Sequence, residues 1–287
     1  MTKIEQSCAT CIGFSIDKVV KSQSNMKPSW LANDNRVTRF ITNNGFKQRK
    51  PSNIDVKLNV NIGTGLKGRK VLYWATKRKE TMSPMILDSN KAYHNFENSG
   101  VTSISRDGTI MFSFECPQLY STKHSAQKSQ QTYFRHLHFV ISNEKCNEWS
   151  PEIYTKIVVC QYGLKKMLQF CQSKMHVIIN TLPHDSFAKD HIPNSYNLSY
   201  KTIKSMSVDE LKSWFCEVVK LHYPKLNTYL LKERIEPYQI PIITYCAHSE
   251  CNVSQLAIQE LMKKGFVNIS EYSGGMREYR SKIPFDK

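Results

Sequence analysis

A cysteine is a nucleophile only as its thiolate, so chemistry is sought where the chain sets a thiol beside groups that favour the anion. Cys246 stands in such a place. It follows the apolar run Ile242-Ile243-Thr244-Tyr245, predicted as a strand over Ile240 to Tyr245. It opens a polar loop, Ala247-His248-Ser249-Glu250-Cys251-Asn252-Val253, before a helix predicted over Ser254 to Lys264 and ended by Gly265. Loop N–H groups and the positive end of that helix are expected to lower the thiol pKa and to receive an oxyanion such as thiosulfate.

Two loop residues are candidate assistants. Cys251, separated from Cys246 by four residues, is either a resolving thiol that captures a persulfide or sulfenic acid as a disulfide, or a residue buried at the helix start. His248 is either an acid that also lowers the Cys246 pKa, or an exposed bystander.

Elsewhere the motifs are weaker. Cys8 and Cys11 form a Cys-x-x-Cys pair with no second close pair to complete a zinc site. In Arg135-His136-Leu137-His138-Phe139, strand alternation puts both histidines on one face, as a packed pair or as two ligands without a third. Gly63-Thr64-Gly65-Leu66-Lys67-Gly68 fits a dinucleotide fingerprint, but Val71-Leu72-Tyr73-Trp74 follows as a strand where the fingerprint needs a helix, so the segment is a turn. No metal and no cofactor are expected.

The elements that must position Cys246 are set out along 287 residues, a length that favours two domains, and 40% hydrophobic content is enough for real cores. Nine cysteines at irregular spacing do not form the framework of a small secreted domain and are expected to be mainly reduced. No apolar run is long enough to span a membrane and Met1 to Phe14 lacks signal-peptide character, so a soluble, cytoplasmic protein with no membrane partner is expected. The net charge of +16 raises nucleic acid as a partner, but the excess is thin: 10 basic against 4 acidic residues over 1–57, 13 against 8 over 58–159, and 17 against 12 over 160–287. Clusters such as Lys47, Arg49, Lys50 and Lys77, Arg78, Lys79 are expected to be solvated faces.

Residues 1–55, rich in Ser, Asn and Lys, are expected to form a poorly ordered basic arm. Residues 56–150 carry short alternating runs, Val56 to Val60, Lys70 to Trp74, Thr109 to Phe114 and Tyr133 to Ile141, with turns at Asn98-Ser99-Gly100 and Arg106-Asp107-Gly108. They predict a β-rich sandwich or barrel-like domain that binds a protein partner. A linking helix is predicted over 151–171, from the apolar spacing between Ile153 and Cys171. Residues 172–287 alternate strand and helix: Val177 to Ile179, Val208 to His222 introduced by Ser207, and the elements around Cys246. The expected fold class is α+β overall, with a C-terminal α/β domain, a mainly parallel sheet, and a ligand site at the carboxyl ends of its strands.

Two segments carry a resemblance. Val177-Ile178-Ile179-Asn180-Thr181-Leu182, followed by Phe187-Ala188-Lys189-Asp190-His191-Ile192-Pro193-Asn194-Ser195-Tyr196-Asn197-Leu198, resembles the opening strand and His-Ile-Pro segment of the rhodanese-like domain. The Cys246 loop and Leu261-Met262-Lys263-Lys264-Gly265-Phe266-Val267-Asn268-Ile269 to Gly274-Gly275-Met276 resemble its second half. The resemblance implies a sulfurtransferase, like thiosulfate sulfurtransferase, that forms a persulfide on Cys246, with a sulfane-sulfur donor and a thiol acceptor as partners. It makes Ala247, Ser249, Glu250, Asn252 and Val253 members of an anion-cradling loop.

There are two departures. Asn180-Thr181 stands where the family has an Asp-Arg pair. The loop is longer than the sulfurtransferase loop, and it carries Asn252 where phosphatase and arsenate-reductase relatives need an Arg for a tetrahedral dianion. The alternative is a catalytically inactive rhodanese-fold scaffold. A thiolate-range pKa at Cys246 favours the enzyme, an ordinary or raised one the scaffold. The layout and the Lys/Asn/Ile-rich composition also resemble proteins of large DNA viruses, which would place the protein in host cytoplasm or virion.

Overall fold

The computed structural model describes residues 18–21, 28, 31, 34–37, 54–123 and 130–283. Cys8, Cys11, Lys47, Arg49 and Lys50 lie outside the described residues. The described residues divide into two compact units, one containing those up to Lys79 together with 87–158, the other containing 80–86 together with those from Val159 onward. Among the described residues no helix is long and apolar enough to cross a membrane.

The first unit is β-rich and antiparallel except for the short β4–β7 pairing. Its elements are β1 (Val19–Lys21), β2 (Val56–Asn61), β3 (Lys70–Ala75), β4 (Leu87–Asp88), α1 (Ser89–Tyr93), β5 (Ser99–Ser103), β6 (Thr109–Phe114), β7 (Tyr120–Lys123), β8 (Gln130–Tyr133), β9 (His136–Ile141) and β10 (Tyr154–Ile157). A five-stranded sheet runs β1-β10-β9-β3-β5; β2 pairs with β6, and β4, β7 and β8 form a third sheet. Alternation is clean in β6, where Ile110, Phe112 and Phe114 are buried and Met111 faces out. The Gly63 to Gly68 segment is a short 3-10 turn before β3, not the start of a dinucleotide site.

Three expectations need correction. The arm is not wholly structureless, because Val19–Lys21 adds a strand to β10 and Leu31 and Val37 pack in the core with Trp74 and Trp149. The periodicity over 151–171 does not make one linking helix. Ile153, Thr155, Ile157 and Val158 are β-branched, a composition that fits a half-buried pleated surface, and β10 pairs with β9 from Tyr154↔Phe139 to Ile157↔His136. The helix begins only after Gly163. Asn98-Ser99-Gly100, turn-like in composition, leads into and starts β5. The buried Asn98 amide donates to the carbonyls of Thr76 (2.7 Å) and Glu115 (2.9 Å), and Gly100 leaves room for the Tyr73 ring.

His136 and His138 lie on one face of β9, as alternation predicts, and both are buried. Their Nε2 atoms are 3.0 Å apart; His136 Nδ1 meets the Phe134 carbonyl at 2.7 Å and His138 Nδ1 meets Thr155 Oγ1 at 2.8 Å. The hydroxyls of Tyr93 and Tyr120 each stand 3.3 Å from His136 Nε2. The pair is thus built into a hydrogen-bonded core network.

The second unit alternates strand and helix: β11 (Gln161–Tyr162), α2 (Leu164–Ser173), β12 (Val177–Asn180), α3 (His184–Lys189), β13 (Tyr196–Asn197), α4 (Tyr200–Ser205), α5 (Val208–His222), α6 (Pro224–Leu231), β14 (Ile242–Tyr245), α7 (Val253–Lys263), β15 (Ile269–Tyr272) and α8 (Gly275–Lys282). Its sheet is parallel, in the order β11-β15-β14-β12-β13, so β14 is central. Strands buried on both faces explain the unbroken apolar runs at Val177 to Ile179 and Ile242-Ile243. Ser207 and Glu210 form a capping box that starts α5 where the sequence places it.

The histidine network yields a pH prediction. Burial lowers the His136 pKa from 6.5 to about 4, against the pull of the Phe134 carbonyl. The unfolded chain therefore binds the proton more tightly, and stability is complete above pH 6.5 and lost as pH falls toward 4. The loss expected from His136 is about 3 kcal/mol. Urea unfolding of the β-rich unit, followed through buried Trp74 and Trp149, should show this acid slope reduced in His136→Gln; an unchanged slope would contradict the assignment.

Candidate functional site

Strand β14 ends at Tyr245 and delivers Cys246 to the carboxyl edge of the sheet, where the chain leaves for the loop and α7. Several anchors hold that end. Thr181 N–H and Oγ1 both donate to the Tyr245 carbonyl at 3.1 Å. The Tyr245 hydroxyl, fully buried, accepts from Ile192 N–H (3.0 Å) and bonds Ser195 Oγ (2.8 Å), tying the His-Ile-Pro segment beneath the loop. On the other side, N–H groups of α8 donate to the loop: Met276 to the Cys246 carbonyl at 2.9 Å and Arg277 to the Ala247 carbonyl at 2.8 Å.

That approach needs glycine. Gly275 has φ +61, and a Cβ there would lie 2.7 Å from both the Cys246 carbonyl oxygen and the His248 nitrogen.

Cys246 is only 3% exposed. Its sulfur lies 3.2 Å from the Cys251 carbonyl and 3.7 Å from the His248 carbonyl, both positioned to accept the thiol hydrogen. Ser254 Oγ, at the start of α7, is 3.5 Å from the sulfur. The expected lowering of the pKa is therefore not found. Burial raises the Cys246 thiol, as does the neighbouring Cys251 side chain, against the opposing pull of the Ser254 hydroxyl and backbone N–H. The physical reason is the desolvation of a buried anion, and among the described residues no cation acts on it.

The other loop residues divide. Cys251 faces Cys246 and is half-buried; His248 is also half-buried, and its Nδ1 is enclosed without a hydrogen-bond partner rather than bonded to Cys246. Ala247 and Val253 are half-buried, and Ser249, Glu250 and Asn252 are exposed. Asn252 occupies the N-cap of α7 but makes no capping bond with its side chain. Asn180 and Thr181 serve the chain locally: Asn180 Oδ1 accepts from Leu182 N–H at 2.9 Å, and Thr181 holds β14.

Sequence reasoning missed Glu271. It sits in β15 at 3% exposure, accepting a short bond from Ser254 Oγ and a 2.8 Å bond from Gln161 Nε2. A carboxylate inside a strand buried on both faces was the available signal. Cys146, Cys171, Cys216, Cys246 and Cys251 are free thiols, whereas Cys116 and Cys160 are each disulfide-bonded, which corrects the expectation for those two.

Residues 161–282 form a rhodanese-like domain, matching the family model of that description. The solved structures similar to the chain include a human single-domain sulfurtransferase, TSTD1, at 17% identity over 43% of this chain and 96% of that one, with a TM-score of 0.30. The single-domain sulfurtransferase RDL2 of Saccharomyces cerevisiae is 12% identical over 44% and 91%, with a TM-score of 0.32. SseA of Escherichia coli, a 3-mercaptopyruvate sulfotransferase, is 19% identical over 40% and 41%, with a TM-score of 0.28. No curated protein matches the chain.

Gly275→Ala should strain the backbone and push the loop from α8, lowering the stability of the C-terminal unit by roughly 2 kcal/mol or more. Chemical denaturation checks this, and a wild-type midpoint in the variant would show that the loop is not held at this contact.

Proposed function

We propose that the C-terminal domain is a sulfurtransferase that carries sulfane sulfur as a persulfide on Cys246. The observation that supports this most is the placement of a free thiol, in a rhodanese-like domain, at the carboxyl end of the central parallel strand. With thiosulfate, the Cys246 thiolate attacks the outer sulfur; a new S–S bond forms, the old one breaks, and sulfite leaves with its electron pair. An acceptor nucleophile, a thiol or cyanide, then takes that sulfur and restores the thiolate. Cys251 is the candidate resolving thiol, because attack by its sulfur on the inner sulfur of the persulfide would release hydrosulfide and leave a Cys246–Cys251 disulfide.

One observation favours a second reading. The raised Cys246 pKa and the lack of a loop cation fit a domain kept as a scaffold, with the β-rich unit recognising a protein partner. The same lack of an Arg at position 252 weighs against phosphoryl transfer.

Cyanolysis with thiosulfate, followed as thiocyanate, separates the readings. Wild type should turn over, Cys246→Ser should lose turnover entirely, and Cys251→Ser should retain thiocyanate formation while losing the disulfide product. Wild type without turnover on any sulfane donor would leave the scaffold.

A further inference from the structure

The Ser254–Glu271 pair has no part in the chemistry so far, yet it places a buried carboxylate one hydroxyl away from Cys246. Glu271 is buried, and among the described residues no Lys or Arg side chain pairs with it; its partners are Ser254 and Gln161, with its own backbone N–H donating to the Cys160 carbonyl. Burying a carboxylate without a cation is unfavourable, and two neutral donors offset that only in part.

The hydrogen count sets the direction. Ser254 has one hydroxyl hydrogen and two neighbours within reach, Cys246 Sγ at 3.5 Å and Glu271 Oε1 at a shorter distance. A carboxylate is the stronger acceptor, so it takes that hydrogen and leaves a Ser254 lone pair facing the sulfur. The other groups near the sulfur are the carbonyls of Cys251 and His248, which hold a thiol hydrogen but are too weakly basic to remove it. The His248 ring makes no bond to Cys246.

We propose that Cys246, Ser254 and Glu271 form a proton relay in which Glu271 is the base that converts the buried thiol to its thiolate. The thiol proton passes to Ser254 Oγ as the Ser254 hydroxyl proton passes to Glu271. An S–H and an O–H bond break, two O–H bonds form, and the negative charge moves from carboxylate to sulfur with none created in the interior. When the acceptor has taken the sulfur, the proton returns by the same path. Ser254 touches the reacting sulfur; Glu271 is a positioning residue that acts through it. The inference rests on the sulfur-carrier reading for its purpose, but its geometry is independent of any donor.

The titratable and polar groups facing the pair are Cys251 from the loop, Ser254 from α7 and Gln161 from β11. A carboxylate that merely sat beside the thiol would repel the thiolate, so its removal would make Cys246 more reactive. A carboxylate that takes the proton has the opposite effect.

The test is the rate of iodoacetamide alkylation at Cys246 against pH in the full chain, resolved by peptide mass spectrometry with Cys146 as an internal reference. In Glu271→Gln, which keeps the shape and an acceptor oxygen for Ser254, the rate at pH 7 should fall about tenfold and the midpoint should rise by about one pH unit. Ser254→Ala should do the same, and Ser254→Thr should restore the rate. A Glu271→Gln profile that overlays wild type, or moves to lower pH, would overturn the relay, and so would an unchanged Ser254→Ala if Glu271→Gln does not fold. Wild type that alkylates with this dependence but forms no thiocyanate would keep the relay and reject sulfur transfer.

Discussion

Two peptide hydrogen bonds between α8 and the loop hold the chain where it leaves the central strand of the C-terminal unit. Met276 and Arg277 donate to the carbonyls of Cys246 and Ala247, so the first turn of one helix satisfies the peptide groups of a loop that would otherwise be left open at the sheet edge. The contact is affordable only because Gly275 has no side chain and tolerates φ +61. The docking fixes the chain at Cys246 and Ala247, from which the loop continues to the His248 and Cys251 carbonyls that face the sulfur.

The consequence is a thiol stored as a thiol. Turning carbonyls of His248 and Cys251 toward the sulfur, and burying it, stabilises the protonated form. A loop with a guanidinium at its far end would do the reverse, but position 252 is an exposed Asn. Reactivity in such a site needs a way to remove the proton without leaving net charge in the interior. The Ser254 hydroxyl and the Glu271 carboxylate are placed where that could be done. The β-rich unit manages buried titratable groups differently: His136 and His138 are held neutral in a network with tyrosines, and their chemistry is stability rather than transfer.

Much of this was legible in the sequence, and the parts that were not share a cause. The capped helix Val208–His222 and the strands β2, β3 and β6 were readable because short-range signals and tertiary burial agree there. Cys246 was found because an apolar run ends in a thiol and a polar loop. The stretch from Ile153 to Cys171 misled because its apolar spacing fits a helix while its β-branched residues form a strand held between β9 and the distant Val19–Lys21. Glu271 was passed over, and the Cys246 pKa was expected to move the wrong way, because both depend on which atoms face each other across the loop. Residue types at a given spacing identify the elements of a site, but not which loop carbonyls turn toward the sulfur or which strand residue, here Glu271, meets the first turn of α7.

The central claim is that Cys246 is the sulfur carrier, and it is tested most directly by mass spectrometry of the whole protein after brief exposure to thiosulfate. The account predicts one added sulfur atom, mapped to the peptide containing Cys246 and removed by cyanide. An unmodified Cys246, or added sulfur found only on Cys146, Cys171, Cys216 or Cys251, would contradict it.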